Sequence, residues 1–383
     1  MDFDLSEEQR LLQESVGKLI ADEYDFEQRK AYAKEPHGFS PARWAQFAEL
    51  GLLGIPFPEA LGGSGGSAVE TMILMEAFGR GLVLEPYLAT VILCGGILRR
   101  AGSATQQREL IPGIAAGKLR FALAHGERQA RYDLADVATS ARAVGSGWTI
   151  SGQKAVVIHG DSADRLIVSA RTSGAERDRN GISLFLVDAK SPGVTIQGYP
   201  TVDGLRAAEI ELKDVKVAAD ALIGERDRGL AIVEHAVDAG IAALAAEAVG
   251  AMTAMHEITV DYLKTRKQFG VAIGSFQALQ HRAVDMLVAL EQARSMAYLA
   301  TMMAEEPDPA ERRRAISAAK VQIGRSARFV GQQSIQLHGG IGMTMEYKIG
   351  HYFKRVSMID TLFGDAEHHL ALVARAGGLV DPL

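Results

Sequence analysis

Twice along this chain the spacing of the apolar residues changes, and those two changes constrain its architecture more than any other feature. From Ser6 to about residue 119 apolar residues recur at helical intervals. Ser6 followed by Gln9 predicts a capping box that opens the first helix. Further helices are expected over residues 41–50, 68–79, 87–101 and 104–113. The stretch from Pro56 to Gly66 is too rich in glycine and proline for regular structure.

From Phe121 to about Val217 the period shortens to β-rich runs at 121–124, 141–144, 148–157, 165–170, 182–187, 194–198 and 208–212, parted by turns such as Gly145-Ser146-Gly147. Strands so spaced, with no helices between them, imply an antiparallel sandwich or barrel, not a parallel dinucleotide sheet. From about Gly229 helical spacing returns in long segments, 230–264, 275–305, 309–337 and 345–363, with a last helix from Ala366. Asp308, Pro309 and Glu311 suit the N-cap, N1 and N3 positions of the third, and Gly339-Gly340 stop it. Long amphipathic helices joined by short loops read as an antiparallel bundle. The apolar run from Gly240 to Met252 predicts burial on more than one side. The expected fold is therefore α+β: an N-terminal helical domain (1–119), a middle antiparallel β domain (120–225), and a C-terminal four-helix bundle that also offers oligomer surface (226–383).

Composition excludes several functions. The 383 residues exceed what one small core organises. A formal charge of −6, with no basic run longer than Arg312-Arg313-Arg314, argues against nucleic acid as a partner. The acidic start Met1-Asp2-Phe3-Asp4 lacks the order of a secretory signal, and Asp238, Glu247 and His256 interrupt the most apolar region. A cytoplasmic chain without a membrane span is expected. Cys94, the only cysteine, lies among Val91, Ile92, Leu93 and Ile97 and reads as a small buried hydrophobe. No disulfide within the chain and no metal site follow.

Recognition rests on motifs in a fixed order: Pro58-Glu59-Ala60-Leu61-Gly62-Gly63, Trp148 to Lys154, Tyr262-Leu263-Lys264-Thr265-Arg266-Lys267-Gln268-Phe269-Gly270, Ser275-Phe276-Gln277, and Gln336-Leu337-His338-Gly339-Gly340 onward to Tyr347. With them the chain resembles the acyl-CoA dehydrogenase family over essentially its whole length, and within it the partner subunits of two-component members of the pimeloyl-CoA dehydrogenase small-subunit type. The resemblance implies an FAD-dependent oxidoreductase that introduces an α,β double bond into an acyl-CoA thioester, as in fatty acid β-oxidation, with electrons leaving through an electron-transfer flavoprotein. It also implies a homotetramer or hetero-oligomer in which each FAD straddles two subunits. Arg266, Phe269, Gln277, Gln336, Gly339 and Gly340 match the positions that reach the pyrophosphate and adenosine end of a neighbour's FAD. Arg presents fixed donors to phosphate, and glycine admits close backbone approach. Taken singly, Arg266 also reads as a helix C-terminal cation, Gly339-Gly340 as a C-cap and turn, and Phe269 as closing a bundle loop.

The chain departs from the family where the chemistry lies. The family's base is a carboxylate that takes a proton from the carbon next to the thioester carbonyl. Phe363 stands at its usual position, and Gly240 at the alternative position on the first bundle helix, with Ile241 replacing the neighbouring arginine. The loop expected to line the flavin becomes Gly126-Glu127-Arg128-Gln129-Ala130-Arg131-Tyr132-Asp133, and the ring-packing Trp-x-Thr becomes Val156-Val157-Ile158. Asp365 and Glu247 are the substitute candidates. Asp365 also reads as an N-cap and Glu247 as half of a buried ion pair. His159, beside the expected ring position, reads either as a group that titrates near neutrality or as a structural hydrogen-bonding residue. Adjacent His368 and His369 cannot face one way on a helix. Three functions follow: a dehydrogenase subunit, a catalytically silent partner supplying adenosine-end contacts to a sister chain, or a thioester-binding protein without dehydrogenase activity.

Overall fold

The computed structural model describes residues 4–377; residues 1–3 of the acidic start and residues 378–383 lie outside them. The first part is helical: α1 (Glu7–Glu23), α2 (Phe26–Tyr32), α3 (Pro41–Glu49), α4 (Ala68–Gly81), a π-helical segment Leu88–Gly95 running into α5 (Gly96–Ala101), and α6 (Ala104–Ala115). The Ser6 side chain accepts from the Gln9 N–H at 3.2 Å, and the Gln9 side chain accepts from the Ser6 N–H at 3.0 Å. That is the expected capping box, and Ser67 with Glu70 and Ser103 with Gln106 repeat it at α4 and α6. The short α2 escapes apolar spacing because its buried side chain is Arg29, which donates to the carbonyls of Leu82 (2.8 Å) and Asp203 (2.9 Å). Residues 87–101 hold a wide π segment where a regular helix is expected. Thr90 in that segment accepts from the Phe121 N–H and donates to the Phe121 carbonyl, both at 3.1 Å, tying it to the first strand.

The middle part is one sheet built from β1 (Phe121–Ala124), β2 (Ser140–Val144), β3 (Gly147–Ile158), β4 (Arg165–Arg171), β5 (Ile182–Asp188), β6 (Val194–Pro200), β7 (Arg206–Ala218) and β8 (Leu222–Ile223). Its order is β6-β7-β3-β2-β4-β5-β8, with β1 beside β4. Most pairs are antiparallel as expected, but β1 runs parallel to β4, Phe121 opposite Arg165. This corrects an all-antiparallel reading, as does β2, which also meets β4 in parallel with Ser140 opposite Arg171: β3 reverses the chain after β2, and the turn into β4 reverses it again. Ile150, Leu166, Val168, Phe185 and Ile210 form the sheet's own core.

The last part comprises α7 (Gly229–Thr265), a hairpin of β9 (Lys267–Gln268) and β10 (Val271–Ala272), then α8 (Gln277–Met303), α9 (Pro309–His338), α10 (Lys348–Thr361) and α11 (Ala366–Ala376). Asp308 caps α9 by accepting from the Ala310 N–H at 2.8 Å. By length and composition α7 is apolar enough to cross a membrane, contrary to the interrupted pattern expected, but 78% of its most apolar stretch is buried inside the fold. α4 crosses it in direct backbone contact. A Cβ on Gly79 would stand 1.9 Å from the Glu247 carbonyl oxygen, and one on Gly250 would stand 1.9 Å from that of Glu76. Only glycine at both positions permits this approach.

Candidate functional site

Where the helices meet the β domain, a cleft of about 510 Å³ opens. One wall comes from Leu123, Ala155, Val156 and Ile158 of the sheet, the other from Leu93, Val237, Leu362 and Phe363 of the helical part. The loop from Gly126 to Leu134 forms its mouth, with Arg128 and Arg131 on it. Arg131, Val156 and Phe363 on the cleft, and His159 just behind it, have left-handed backbones with φ of +51°, +52°, +61° and +53°. Such a conformation costs a non-glycine residue roughly 1–2 kcal/mol and is worst for a β-branched side chain. Val156 sits in a bulge, between Lys154 and Val157 where the β3–β7 register shifts. Strain gathered round one cleft is what a functional site retains.

Under the sheet wall lies a buried ion pair that the sequence did not single out. Lys154 Nζ is 2.7 Å from Glu127 Oε1 and also donates to Ser169 Oγ at 3.0 Å and to the His125 carbonyl at 3.2 Å. Glu127 further accepts from the N–H groups of Ala138 (2.9 Å) and Thr139 (3.1 Å). Burial raises the Glu127 carboxyl, but Lys154 and these donors outweigh it and hold the group at about 2. Burial takes Lys154 down to about 8 despite its partner. Glu127 is thus a carboxylate spent on holding the mouth loop to β3. Only its place in the loop retained from the family hinted at this.

Phe363 and Gly240, the two base positions, meet in space. A Cβ on Gly240 would lie 3.2 Å from Phe363 Cε2 and 2.9 Å from Leu93 Cδ2, so the phenyl ring fills the room a side chain at 240 would need. The segment is held from below. His369 Nε2 lies 3.0 Å from the Phe363 carbonyl with its Nδ1 3.0 Å from Ser317 Oγ, and Lys320 donates to the Leu362 carbonyl at 2.8 Å and to that of Ile359. Burial lowers Lys320 to about 7.

The substitute acids are engaged elsewhere. Both Glu247 oxygens accept from Arg355, at 2.5 and 2.7 Å, and Arg355 reaches Asp203 at 2.8 Å, all three side chains buried. Glu247 does not line the cleft, and its reading as a base is corrected: it neutralises Arg355. Asp365 caps α11 by accepting from the His368 N–H at 2.9 Å, and the Tyr132 hydroxyl donates to it at 3.4 Å. That backbone donor lowers its pKa, and the carboxyl is absent from the cleft lining, which corrects its reading as a base. His159 is pushed down to about 4 by burial and then by Arg355, so it stays neutral where titration was expected.

The other matched positions gather at the far end of the bundle. Arg266, Phe269, Gln277, Gln336, Gly339 and Gly340 are all exposed. The α7 and α9 ends are pinned together by Tyr262 against His338, ring centroids 4.5 Å apart, and α8 to α9 by Arg282 donating to Gln333 at 3.2 Å. Phe269 and Gly270 form the two-residue tip of the β9–β10 hairpin with φ of +53° and +80°, the geometry of a type I′ turn. The Phe269 side chain is thereby 92% exposed. Ile341, Met343 and Met345 are exposed beside the glycine pair. An apolar end of this kind fits a partner surface.

Residues 6–118, 122–215 and 227–378 match the N-terminal, middle and C-terminal domains of acyl-CoA dehydrogenase. The probable acyl-CoA dehydrogenase YngJ of Bacillus subtilis (strain 168) is 30% identical over 380 residues, covering 98% of this chain and 99% of that protein. Among solved structures, the Tcur3481-Tcur3483 steroid ACAD is 30% identical with a TM-score of 0.87, covering 97% of this chain and 98% of that one. The FAD complex of PigA is 28% identical with a TM-score of 0.91, covering 99% and 100%. The chain belongs to the acyl-CoA dehydrogenase family, oxidoreductases acting on the CH–CH bond of acyl-CoA thioesters.

Proposed function

We propose that this chain serves FAD-dependent acyl-CoA dehydrogenation as the partner subunit of a hetero-oligomer, supplying adenosine-end FAD contacts to a sister chain that carries the base. The observation that carries this reading is the contact of Phe363 with Gly240, which places an aromatic ring and a hydrogen atom where a carboxylate is required. The other acids on the cleft are committed: Glu127 to Lys154, Glu209 to Arg128, and Asp133 to the Ala135 N–H. What the chain keeps is the exposed set Arg266, Phe269, Gln277, Gln336, Gly339 and Gly340, fit to reach outward to another subunit.

The residues of the cleft fit an isoalloxazine in part. Its volume lies in the range of small-molecule sites, and Leu123, Val156, Ile158 and Val237 offer flat apolar walls. Arg131 at the mouth suits the phosphates of FAD or of coenzyme A, whereas Arg128 is held by Glu209. FAD, when bound, supplies the two-electron acceptor, which an electron-transfer flavoprotein then reoxidises. The chain's own task there is orientation. With the carbonyls of residues 362 and 363 held by Lys320 and His369, the Phe363 N–H is left as a donor for a thioester carbonyl. Binding of the thioester thus outlasts loss of the base.

The test is flavin content per subunit and acyl-CoA-dependent bleaching, for the chain purified alone and after co-expression with a base-carrying sister chain. Little flavin and no bleaching are expected alone, with both restored in the complex. Phe269→Ser and Arg266→Gln are expected to lower the flavin content of the complex. Stoichiometric flavin bleached by acyl-CoA in the isolated chain refutes the reading.

A further inference from the structure

A second cavity, of about 170 Å³, opens between α4, α5, α7 and the end of α8, and shares no lining residue with the cleft. Ala236, Ala239 and Ala243 of α7 leave its space, and Met72, Ile92 and Ile97 wall it. An apolar cavity of roughly 150 Å³ accepts a benzene-sized body, so this one takes an apolar group of about six to eight carbons.

Its polar edge has a defined chemistry. Arg99 is satisfied, donating to Glu305 at 2.7 Å and to the Pro56 carbonyl at 3.2 Å. Arg100 forms no ion pair among the described residues, and its Nη1 lies 3.3 Å from His235 Nε2. A guanidinium can only donate, so Nε2 is the acceptor, the ring is neutral, and Nδ1 carries the proton. Burial, then Arg100 and Arg312, push His235 down to about 4, in keeping with that neutral form. The His235 side chain lines the cavity, the residue is only 8% exposed, and its Nδ1 is buried with no partner. An orphaned buried donor costs about 1–3 kcal/mol. Glu305 also lines the cavity; one of its oxygens is taken by Arg99 and the other lies 3.9 Å from His235 Nε2. With that carboxylate matched by Arg99, the Arg100 guanidinium without an ion-pair partner and the unmatched His235 N–H are complementary to a monoanion with two acceptor oxygens on an apolar body.

We propose that this cavity binds a free medium-chain carboxylic acid, its chain against the alanine face of α7 and its carboxylate between Arg100 and His235. An alcohol of the same length leaves Arg100 without a counter-ion, and an amine is repelled by it.

The experiment is calorimetric titration of the purified assembly with octanoate, octan-1-ol and octylamine, together with the ring NMR signals of His235. Octanoate is expected to bind at one per chain, at least tenfold more tightly than octanol, and to shift the His235 signals, while octylamine does not bind. Arg100→Gln, at an exposed position, is expected to reduce octanoate to the level of octanol. Ala239→Phe, which fills the cavity, is expected to abolish both. Octanoate binding that equals octanol in the native protein, or that survives Arg100→Gln undiminished, overturns the proposal. The latter result would mean that the acid enters the main cleft. Because Arg100 lies on the surface, the test stands even where Ala239→Phe fails to fold.

Discussion

Glu247→Gln separates a structural carboxylate from a catalytic one. In the fold Glu247 makes a two-pronged pair with Arg355 at 2.5 and 2.7 Å, and Asp203 takes the third contact at 2.8 Å. Removing one partner of a buried ion pair costs about 3–5 kcal/mol, because the other charge is left unmatched. Here Asp203 still neutralises Arg355 and the glutamine keeps one acceptor oxygen, so the cost falls at the lower end, about 3 kcal/mol. At about 2.1 cal/mol/K of unfolding entropy per residue, a chain of 383 residues loses roughly 1.2 °C of melting temperature per kcal/mol, so a drop of roughly 4 °C is expected. Thermal unfolding followed by circular dichroism reads the drop, and substrate-dependent flavin bleaching of the assembled complex, measured well below the transition, reads the chemistry. Bleaching is expected to be unchanged. A variant with the native melting temperature and no bleaching would refute the ion-pair reading and return Glu247 to the list of bases.

Two further outcomes follow from the same geometry. Glu85 is buried, accepts from the Tyr24 hydroxyl and from the Ser40 N–H at 3.3 Å, and burial pushes its carboxyl up to about 7. The native state therefore holds a proton that the unfolded chain releases near 4.3, so this group's contribution is present at low pH and is lost as pH rises toward 7. Glu85→Gln should flatten that part of the stability profile between about pH 4.3 and pH 7, and an unchanged slope in denaturant titrations at several pH values would count against it. Phe363→Glu places a carboxylate at the cleft in a backbone already left-handed, with Gly240 leaving it room. A positioned base contributes about 10²-fold or more, so in a flavin-loaded complex whose sister chain has lost its own base this variant is expected to raise acyl-CoA-dependent bleaching at least tenfold over that background, and no gain would mean that the cleft lacks a competent pose.

The helix starts were legible because a cap is a local device: Ser6 with Gln9 and Asp308 with Pro309 act over three or four residues. The alternation of the strands and the length of the bundle helices were equally legible, since both record which face is buried. Segment α2 and the π turn were not. Arg29 is buried through carbonyls more than fifty residues away, and the wide turn depends on Thr90 meeting β1. The parallel β1–β4 pair is also a matter of long-range direction, which alternation does not encode.

At the site, residue identity alone sufficed to show that neither position matched to the family's base holds an acid, because that statement concerns which atoms a side chain possesses. Where the remaining acids point is a matter of distant partners. Arg355 lies 108 residues from Glu247 and 152 from Asp203, and only folding brings the three together. The same holds for Phe363 filling the space at Gly240, for the strained Val156 in its bulge, and for the orphaned His235 beside an alanine-lined cavity. Composition sets which groups exist; burial and neighbours, which exist only in three dimensions, set which of them remain free to act.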